Sequence, residues 1–269
     1  MLVNDSFIKR VENYENTAEH NEKLHAEFEQ LVQTIPFLAQ HRKYVETHKL
    51  GFGDTAFHYM WYLIIQHLAE QSSNLKFVEI GVFKGQVISL WALIAAKLNL
   101  QLSLTGISPL KGNSLPPSKW VKIWKTLTDP KFRQELKSGN FYPEEDYRAI
   151  IAGLFETFHL PFSEIRLIEG YSNDVNVLET VKNEKFSLIY IDGDHTFEGA
   201  TEDIKNYCPL IEENGFLVMD DASFYLPGTS FWKGHESVSR ACEIIPSFGF
   251  TNILNVGHNR VYQKVNGSS

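Results

Sequence analysis

The sequence has little cysteine, no excess of basic residues and no long uninterrupted apolar run. Cys208 and Cys242 are its only cysteines, too few for a disulfide framework or an all-cysteine metal site, so we expect two reduced thiols. Lys and Arg number 25 against 33 Asp and Glu, a net charge of −8, and this acidic balance disfavours nucleic acid as a partner. No apolar stretch approaches the roughly 18 residues that a membrane-spanning helix needs, so the sequence predicts no membrane partner. The polar N-terminus lacks the apolar segment of a signal peptide, and we expect a cytoplasmic protein.

The 269 residues do contain enough apolar material for a full core, since 43% are hydrophobic and 13% are aromatic. Residues 1–72 are predicted to form a helical extension. Phe28, Leu31 and Ile35 recur at helical spacing before Pro36, and an apolar run follows Asp54, a good N-cap residue. We expect this extension to contribute substrate contacts or the interface of a homo-oligomer.

Residues 73–269 alternate short β-type runs with helical segments, and they are predicted to form the main domain. The alternation predicts right-handed crossovers and a mostly parallel α/β sheet with helices on both faces and an antiparallel C-terminal edge. A helical insertion is predicted at about 109–160. Ligands of such sheets bind beyond the carboxyl ends of the strands, so the residues at those ends are the candidates for function.

The first strand ends in "VEIGVFKGQ", residues 78–86, where Glu79, Gly81 and Gly85 follow the spacing E-x-G-x-x-x-G. Glycines at a strand-to-helix turn let the backbone turn tightly and approach a ligand. The pattern is not the G-x-G-x-x-G of dinucleotide binding, since Phe83 interrupts it. A carboxylate before the turn suits a ligand with an ammonium group. The simpler interpretation is a tight turn beside an incidentally buried Glu79, which is costly when the carboxylate is unpaired.

This motif, with the order of strands and helices and the final strand pair, resembles the class I S-adenosylmethionine (SAM)-dependent methyltransferases over about residues 75–265. The resemblance implies a Rossmann-like methyltransferase fold with a seven-stranded sheet and SAM as the cofactor. By match to the family's motif, Glu79 lies near the amino acid moiety of the cofactor, and Gly81 and Gly85 pass beneath it.

Two further strand ends carry implied cofactor contacts. The family usually places an acidic residue after its second strand to hold both ribose hydroxyls, and this sequence has Ser108 there, whose single hydroxyl cannot grip a diol in that way. After the third strand, the resemblance assigns contacts with adenosine to Gly170, Tyr171 and Ser172, which fit an ordinary turn into a helix equally well. Asp192, after the fourth strand, is also expected to reach the cofactor.

Carboxylates follow two consecutive strands, Asp192 after one and Asp220 and Asp221 after the next. Sequential strands usually lie close together, so we expect the three side chains to converge. Three like charges repel one another unless a cation lies among them, and oxygen ligands suit Mg²⁺, Ca²⁺ or Mn²⁺. Alternatively, some of these aspartates cap helices or face solvent.

The string "IDGDHTFEG" followed by "DD" resembles the metal-dependent O-methyltransferases that act on small molecules, especially the sugar and natural-product branch. The resemblance implies that Asp192, Asp220 and Asp221 bind a divalent cation, most simply Mg²⁺. His195 is the expected catalytic base, because an imidazole titrates near neutrality, although it also fits a packing role at the helix start. His235 is a second candidate base, and His58 is expected in the core.

The leading hypothesis is therefore a SAM-dependent O-methyltransferase that acts, with a divalent cation, on a hydroxyl of a small molecule such as a sugar or natural product. One alternative is a metal-dependent hydrolase or hydroxylase-like enzyme on the same fold, which the Ser108 departure keeps open. Another is a degenerate, non-catalytic binding module. The aromatic loop 224–236 is predicted to wall or cover the acceptor pocket, or to contact a partner subunit.

Overall fold

A seven-stranded sheet forms the centre of the protein in a computed structural model that describes residues 6–130, 132–133, 136 and 141–265. The strand order is β3-β2-β1-β4-β5-β7-β6, with β1 to β5 parallel and β7 antiparallel to both of its neighbours. The predicted Rossmann-like class I methyltransferase fold is confirmed. The strands are β1 Leu75–Ile80, β2 Leu102–Ser108, β3 Arg166–Glu169, β4 Phe186–Ile191, β5 Ile211–Met219, β6 Phe250–Val256 and β7 Asn259–Lys264.

Helices cover both faces of the sheet. The described α-helices, numbered in chain order, are α1 Phe7–Glu12, α2 Ala18–Thr34, α3 Pro36–His48, α4 Ala56–Gln71, α5 Gln86–Leu98, α6 Lys119–Thr128, α7 Tyr147–Thr157, α8 Val175–Val181, α9 Phe197–Tyr207 and α10 Glu236–Ala241. Short 3-10 segments lie at Phe162–Glu164, Cys208–Leu210 and Cys242–Phe248. None of the helices in the described ranges is long and apolar enough to cross a bilayer.

The sheet separates two apolar cores because successive side chains of a strand point to opposite faces. Along β4, Leu188 and Tyr190 pack in the first core with helices α1–α5 and α7, whereas Ile189 and Ile191 pack in the second core with α8, α9 and α10. The N-terminal helices therefore bury their apolar faces against the sheet.

Local chemistry explains where the N-terminal helices begin. The side chains of Ser6 and Thr17 accept hydrogen bonds from the N–H groups of Lys9 and His20, which caps α1 and α2. Pro36 lies at the first position of α3, where its missing N–H costs no helical hydrogen bond, and it separates α3 from α2.

The predicted insertion contains two described helices, α6 and α7, and part of the stretch between them lies outside the described residues. Its two ends are joined beside the sheet. A backbone bridge pairs Lys111 with Asp146, and the N–H of Tyr142 donates to the carbonyl of Asn113 at 2.9 Å. Helix α9 ends at Tyr207, because Pro209 falls in a separate 3-10 turn.

Candidate active site

A cavity of about 890 Å³ opens at the carboxyl ends of β1, β2, β4 and β5. Nearly all of the residues selected from the sequence line it: Glu79, Gly81, Ser108, Gly170, Tyr171, Ser172, Asp192, His195, Asp220, Asp221 and His235. Gly85 is not among the lining residues. It begins α5 at φ +88°, and a Cβ there would lie 2.9 Å from Ile151 Cγ1, so the glycine permits the turn and close helix packing. Its predicted contact with the cofactor stays a prediction.

The glycine turn after β1 brings two strand ends into backbone contact. Gly81 has φ +92°, and a Cβ placed on it would lie 1.7 Å from the carbonyl oxygen of Asp192. The N–H of Asp192 donates to the carbonyl of Ile80 at 2.9 Å. Only glycine fits this conformation and this spacing, so the turn fixes Asp192 relative to β1.

Glu79 lies at the floor of the cavity with 3% of its surface exposed. Its Oε2 has no hydrogen-bond partner among the described residues. Burial, and then the charge of Asp192, raise the pKa of this carboxyl well above its usual range. A ligand ammonium group would supply both the missing donor and the missing counter-charge.

The part of the cavity assigned to ribose and adenosine is built partly from short polar side chains. Ser108 Oγ accepts the N–H of Leu110 at 3.3 Å, so this hydroxyl is already engaged in a local turn. Ser172 Oγ donates to Asp203 Oδ1 at 2.5 Å. Tyr171 is 59% exposed at the rim. The buried carboxyl of Asp203, which the sequence analysis did not select, lies beneath this part of the cavity, and burial raises its pKa to about 7.

The three predicted carboxylates come together at the ends of β4 and β5. Desolvation and the charge of Asp220 raise the pKa of Asp192 well above its usual range, and burial and the same charge raise that of Asp221. Burial alone would raise the pKa of Asp220 too, but the charge and hydrogen bond of His258 hold it below the usual value. Repulsion among these like charges is what a cation bound between them would relieve.

Three imidazoles, those of His195, His235 and His258, lie beside this cluster. His195 Nε2 lies 3.6 Å from Asp192 Oδ1, and His235 Nε2 lies 3.4 Å from Asp221 Oδ2. Asp194 and Thr196 perform the local capping, since their side chains accept the N–H groups of Thr196 and Gly199. His195 itself is thus left to face the cavity, whereas the predicted core residue His58 is fully buried beside His41, away from it.

Two sets of three side chains in the described residues bring one ligand atom each within 4.8 Å of one another. These are Asp220, Asp221 and His258, and His195, Asp221 and His235. Asp192 belongs to neither set, although His195 joins it to the second. The structure thus collects the predicted carboxylates in one cavity and adds imidazoles to them.

His258 was not selected from the sequence, and it links the carboxylates to the N-terminal helices. Its Nε2 lies 3.1 Å from Asp220 Oδ1 and its Nδ1 lies 3.6 Å from Asp54 Oδ2. Asp54 Oδ2 in turn lies 3.0 Å from His25 Nε2. Burial would lower the pKa of His258, but Asp220 and Asp54 raise it to about 10, so this imidazole is a buried cation at neutral pH.

Aromatic side chains from separate segments form the outer wall of the cavity. The rings of Phe52 and Phe83 stack with centroids 5.4 Å apart, and Tyr142 of the insertion lies 5.1 Å from Phe83. Trp232, in the loop after β5, also lines the cavity. Phe52 is 73% exposed. This wall offers flat apolar surfaces in the same cavity as the polar cluster.

The loop after β5 is fastened at its base and at its tip. At the base, Ala222 and Gly234 form a backbone bridge, and the N–H of His235 donates to the carbonyl of Asp221 at 2.9 Å. At the tip, the N–H of Ser230 donates to Glu22 Oε2 of α2 at 2.9 Å. The predicted pocket-wall role agrees with this placement, and the predicted contact with a partner subunit stays a prediction.

Comparison with known proteins gives the family. Residues 78–222, more than half of the chain, match the methyltransferase-domain family. The structure of the O-methyltransferase NovP is 12% identical, covers 78% of this chain and 79% of its own, and has a TM-score of 0.57. An O-methyltransferase from Bacillus cereus in complex with SAH is 13% identical, with 93% of this chain and 100% of that chain covered and a TM-score of 0.54.

A third similar structure is the O-methyltransferase TomG from Streptomyces achromogenes, involved in tomaymycin synthesis and bound to SAM. It is 12% identical, covers 93% of this chain and 99% of its own, and has a TM-score of 0.51. No curated protein sequence matches the chain significantly. These structures share the fold, and the match over residues 78–222 places the chain in the methyltransferase-domain family: it is a methyltransferase.

Proposed function

We propose that this protein is a SAM-dependent O-methyltransferase that acts on a hydroxyl of a small molecule with the help of a divalent cation. The observation that carries the proposal is one cavity that joins the family's glycine turn at Gly81 to the carboxylates Asp192, Asp220 and Asp221. The methyltransferase family match favours this function over the hydrolase-like and non-catalytic alternatives.

The inner part of the cavity fits the cofactor. Glu79 presents a buried carboxylate oxygen that lacks a hydrogen-bond partner among the described residues, which suits the ammonium group of the amino acid moiety. Gly81 leaves room that a Cβ would fill. The contacts proposed for adenosine are those of Gly170, Tyr171 and Ser172, with Ser108 in place of the acidic residue that related enzymes use.

The carboxylate cluster fits a hard divalent cation such as Mg²⁺. Asp220 and Asp221 lie near one buried imidazolium, His258, and burial together with the charge of Asp220 raises the pKa values of Asp192 and Asp221. Oxygen ligands of this kind are those that Mg²⁺ prefers. When bound, the cation would lower the pKa of the acceptor hydroxyl and orient it.

Removal of the proton from the acceptor hydroxyl is proposed to depend on His195 and Asp192. His195 Nε2 is proposed to accept the proton of the acceptor hydroxyl. SAM, when bound, would supply the methyl group to that oxygen and would depart as a neutral thioether. Asp192, 3.6 Å from His195 Nε2, stabilises the imidazolium that results. Holding both reactants in line within one cavity supplies the proximity that this displacement needs.

The acceptor is proposed to be a hydroxylated small molecule, a sugar or a natural product. The stacked rings of Phe52 and Phe83 offer a flat apolar surface in the same cavity as the polar cluster. The similar structure TomG belongs to an enzyme of tomaymycin synthesis, which agrees with a natural-product acceptor. Self-association through the N-terminal helices stays a prediction.

Titration of SAM into metal-stripped protein, repeated with Mg²⁺, tests the cofactor part of the proposal. We expect binding in the micromolar range in both conditions and, with Mg²⁺, conversion of SAM to its demethylated product in the presence of hydroxylated sugars or phenols. Absence of SAM binding in both conditions would refute the proposed function. SAM binding with turnover that does not depend on Mg²⁺ would refute only the metal assignment.

A further inference from the structure

A cluster with different chemistry lies beside the carboxylates. His195 Nε2 is 3.7 Å and His235 Nε2 is 3.4 Å from the same atom, Asp221 Oδ2. The two imidazole rings stack nearly parallel, with centroids 4.7 Å apart and an angle of 17° between their planes. Two nitrogen atoms and one oxygen atom therefore lie within 4.8 Å of one another at the wall of the cavity.

The third member of this cluster is held in place by its surroundings. Trp232 Nε1 donates a hydrogen bond to Asp221 Oδ1 at 2.9 Å, so the carboxylate turns its other oxygen, Oδ2, towards the two imidazoles. The backbone of Asp221 is left-handed, with φ +49°. A Cβ on Gly234 would lie 2.1 Å from the carbonyl group of Asp221, so the two backbone segments are in close contact. An outer hydrogen bond that orients a ligating carboxylate is a regular feature of protein metal sites.

The spacing of the three atoms fits a metal ion with short bonds. Two ligands each about 2.1 Å from a tetrahedral metal ion lie about 3.4 Å apart. The distances of 3.4 and 3.7 Å to Asp221 Oδ2 approach that value without any movement of the backbone. Imidazole nitrogen is a good ligand for Zn²⁺, Co²⁺, Ni²⁺ and Cu²⁺, whereas Mg²⁺ prefers oxygen.

We propose that His195, His235 and Asp221 form a binding site for a transition-metal dication such as Zn²⁺, distinct from the Mg²⁺ position proposed at the carboxylates. The two sites share Asp221, so a Zn²⁺ ion at the imidazoles weakens Mg²⁺ binding. Zn²⁺ also engages the lone pair of His195 Nε2, and that atom then no longer accepts a proton. The binding site stands on the geometry alone, whereas its inhibitory effect on methyl transfer rests on the proposed function.

The test uses the full-length, metal-stripped protein and three single variants. Zn²⁺ is titrated against a chromophoric chelator, Mg²⁺ is titrated by calorimetry, and Co²⁺ is added to record its visible absorption. We expect one Zn²⁺ per chain and a Co²⁺ spectrum typical of four-coordinate nitrogen and oxygen ligands. His235→Gln should weaken Zn²⁺ binding by roughly tenfold to a hundredfold or more and leave Mg²⁺ binding within about twofold.

Two variants provide matched controls. Asp220→Asn should weaken Mg²⁺ binding and leave Zn²⁺ binding within about threefold, the reverse of His235→Gln. His48→Gln changes an exposed histidine that does not line the cavity and should alter neither. Circular dichroism and thermal unfolding of each variant show that any loss of binding comes from a folded protein.

Unchanged Zn²⁺ affinity in folded His235→Gln, or Zn²⁺ stoichiometry that falls only with His48→Gln, would overturn the proposed site. Because metal binding is the readout, the result decides the inference even for a protein that fails to bind SAM. Inhibition of turnover by micromolar Zn²⁺, relieved in His235→Gln, would add support for the consequence drawn for His195.

Discussion

The two halves of the cavity are built in different ways. The half proposed for SAM is formed largely by backbone at strand ends, where Gly81 contacts Asp192 and the sheet register fixes both. The half proposed for the acceptor and the metal is formed by side chains from distant segments, including Asp54, His235 and His258. The first half thus tolerates few changes at its glycine turn, and the second permits changes of side chain that leave the fold intact.

The largest effect is expected from Gly81→Ala. The new Cβ would lie 1.7 Å from the Asp192 carbonyl oxygen, at a φ of +92° that alanine avoids, so both strand ends must move. We expect loss of measurable SAM binding and a destabilisation of more than about 3 kcal/mol. Calorimetry and urea unfolding measure the two effects.

The matched control for this change is Gly153→Ala. Gly153 lies in α7 with no heavy atom within 4 Å of the added Cβ, so alanine there should stabilise the protein by up to about 1 kcal/mol. Normal SAM affinity in Gly81→Ala would show that the backbone half of the cavity is less constrained than the structure indicates.

In the side-chain half, Asp221→Asn should slow catalysis strongly without disturbing the cofactor. Asparagine tolerates the left-handed backbone at this position, and it keeps the size of the side chain while removing its charge. We expect turnover to fall roughly 100- to 1000-fold, because a bound metal contributes several kcal/mol to the transition state. SAM affinity should stay within about threefold of wild type. A parallel loss of SAM affinity would mean that the two halves are not independent.

Asp203 tests the region between the halves through its pH dependence. Its carboxyl has an ordinary pKa of 3.8 and burial raises this pKa to about 7, so the folded state prefers the neutral form. The stability that this preference contributes is complete below about pH 4 and is lost as pH rises through 7. Asp203→Asn stays neutral, so at pH 8 it should be more stable than wild type by on the order of 2 kcal/mol.

Urea unfolding at pH 5 and pH 8 measures this difference, which should shrink markedly at pH 5. Glu156→Gln, an exposed carboxylate on α7, serves as the control and should show little difference at either pH. An equal stability change for Asp203→Asn at both pH values would contradict the raised pKa.

The smallest effect is expected from Ser108→Asp. It would restore the two acceptor oxygens that related enzymes offer to ribose, at the end of β2 inside the cavity. Hydrogen bonds to a charged acceptor contribute about 1.5–3 kcal/mol, so SAM affinity should increase roughly tenfold. Ser108→Asn, which supplies only one acceptor oxygen, should give less than half of this gain in free energy. A decrease in affinity for Ser108→Asp would place the ribose elsewhere.

The sequence allowed prediction of the features that depend on local pattern. The alternation of strands and helices and the glycine turn at Gly81 are visible in the local pattern of residues. The convergence of Asp192, Asp220 and Asp221 could be predicted because strand ends of a parallel sheet meet at one edge. His195 also followed from this argument. The cofactor and metal roles of these residues stay predictions.

Contacts between remote segments could not be predicted in the same way. His258 lies at a hairpin between β6 and β7, and only the antiparallel register of β7 against β5 brings it beside Asp220. Asp54 was interpreted as a helix cap, and it does accept the N–H of Phe57, yet it also faces His25 and His258. Nothing in the spacing along the chain signals these pairings.

The closed base of the loop after β5 bears on how such an enzyme acquires new substrates. The Ala222–Gly234 bridge and the hydrogen bond between the N–H of His235 and the carbonyl of Asp221 fix both chain ends of the loop independently of its contents. Residues 224–231 therefore form a replaceable segment, in which insertions or deletions leave Asp221, Trp232 and His235 in register. Natural variation in acceptor preference can accumulate there while the chemistry at the base of the loop is inherited unchanged.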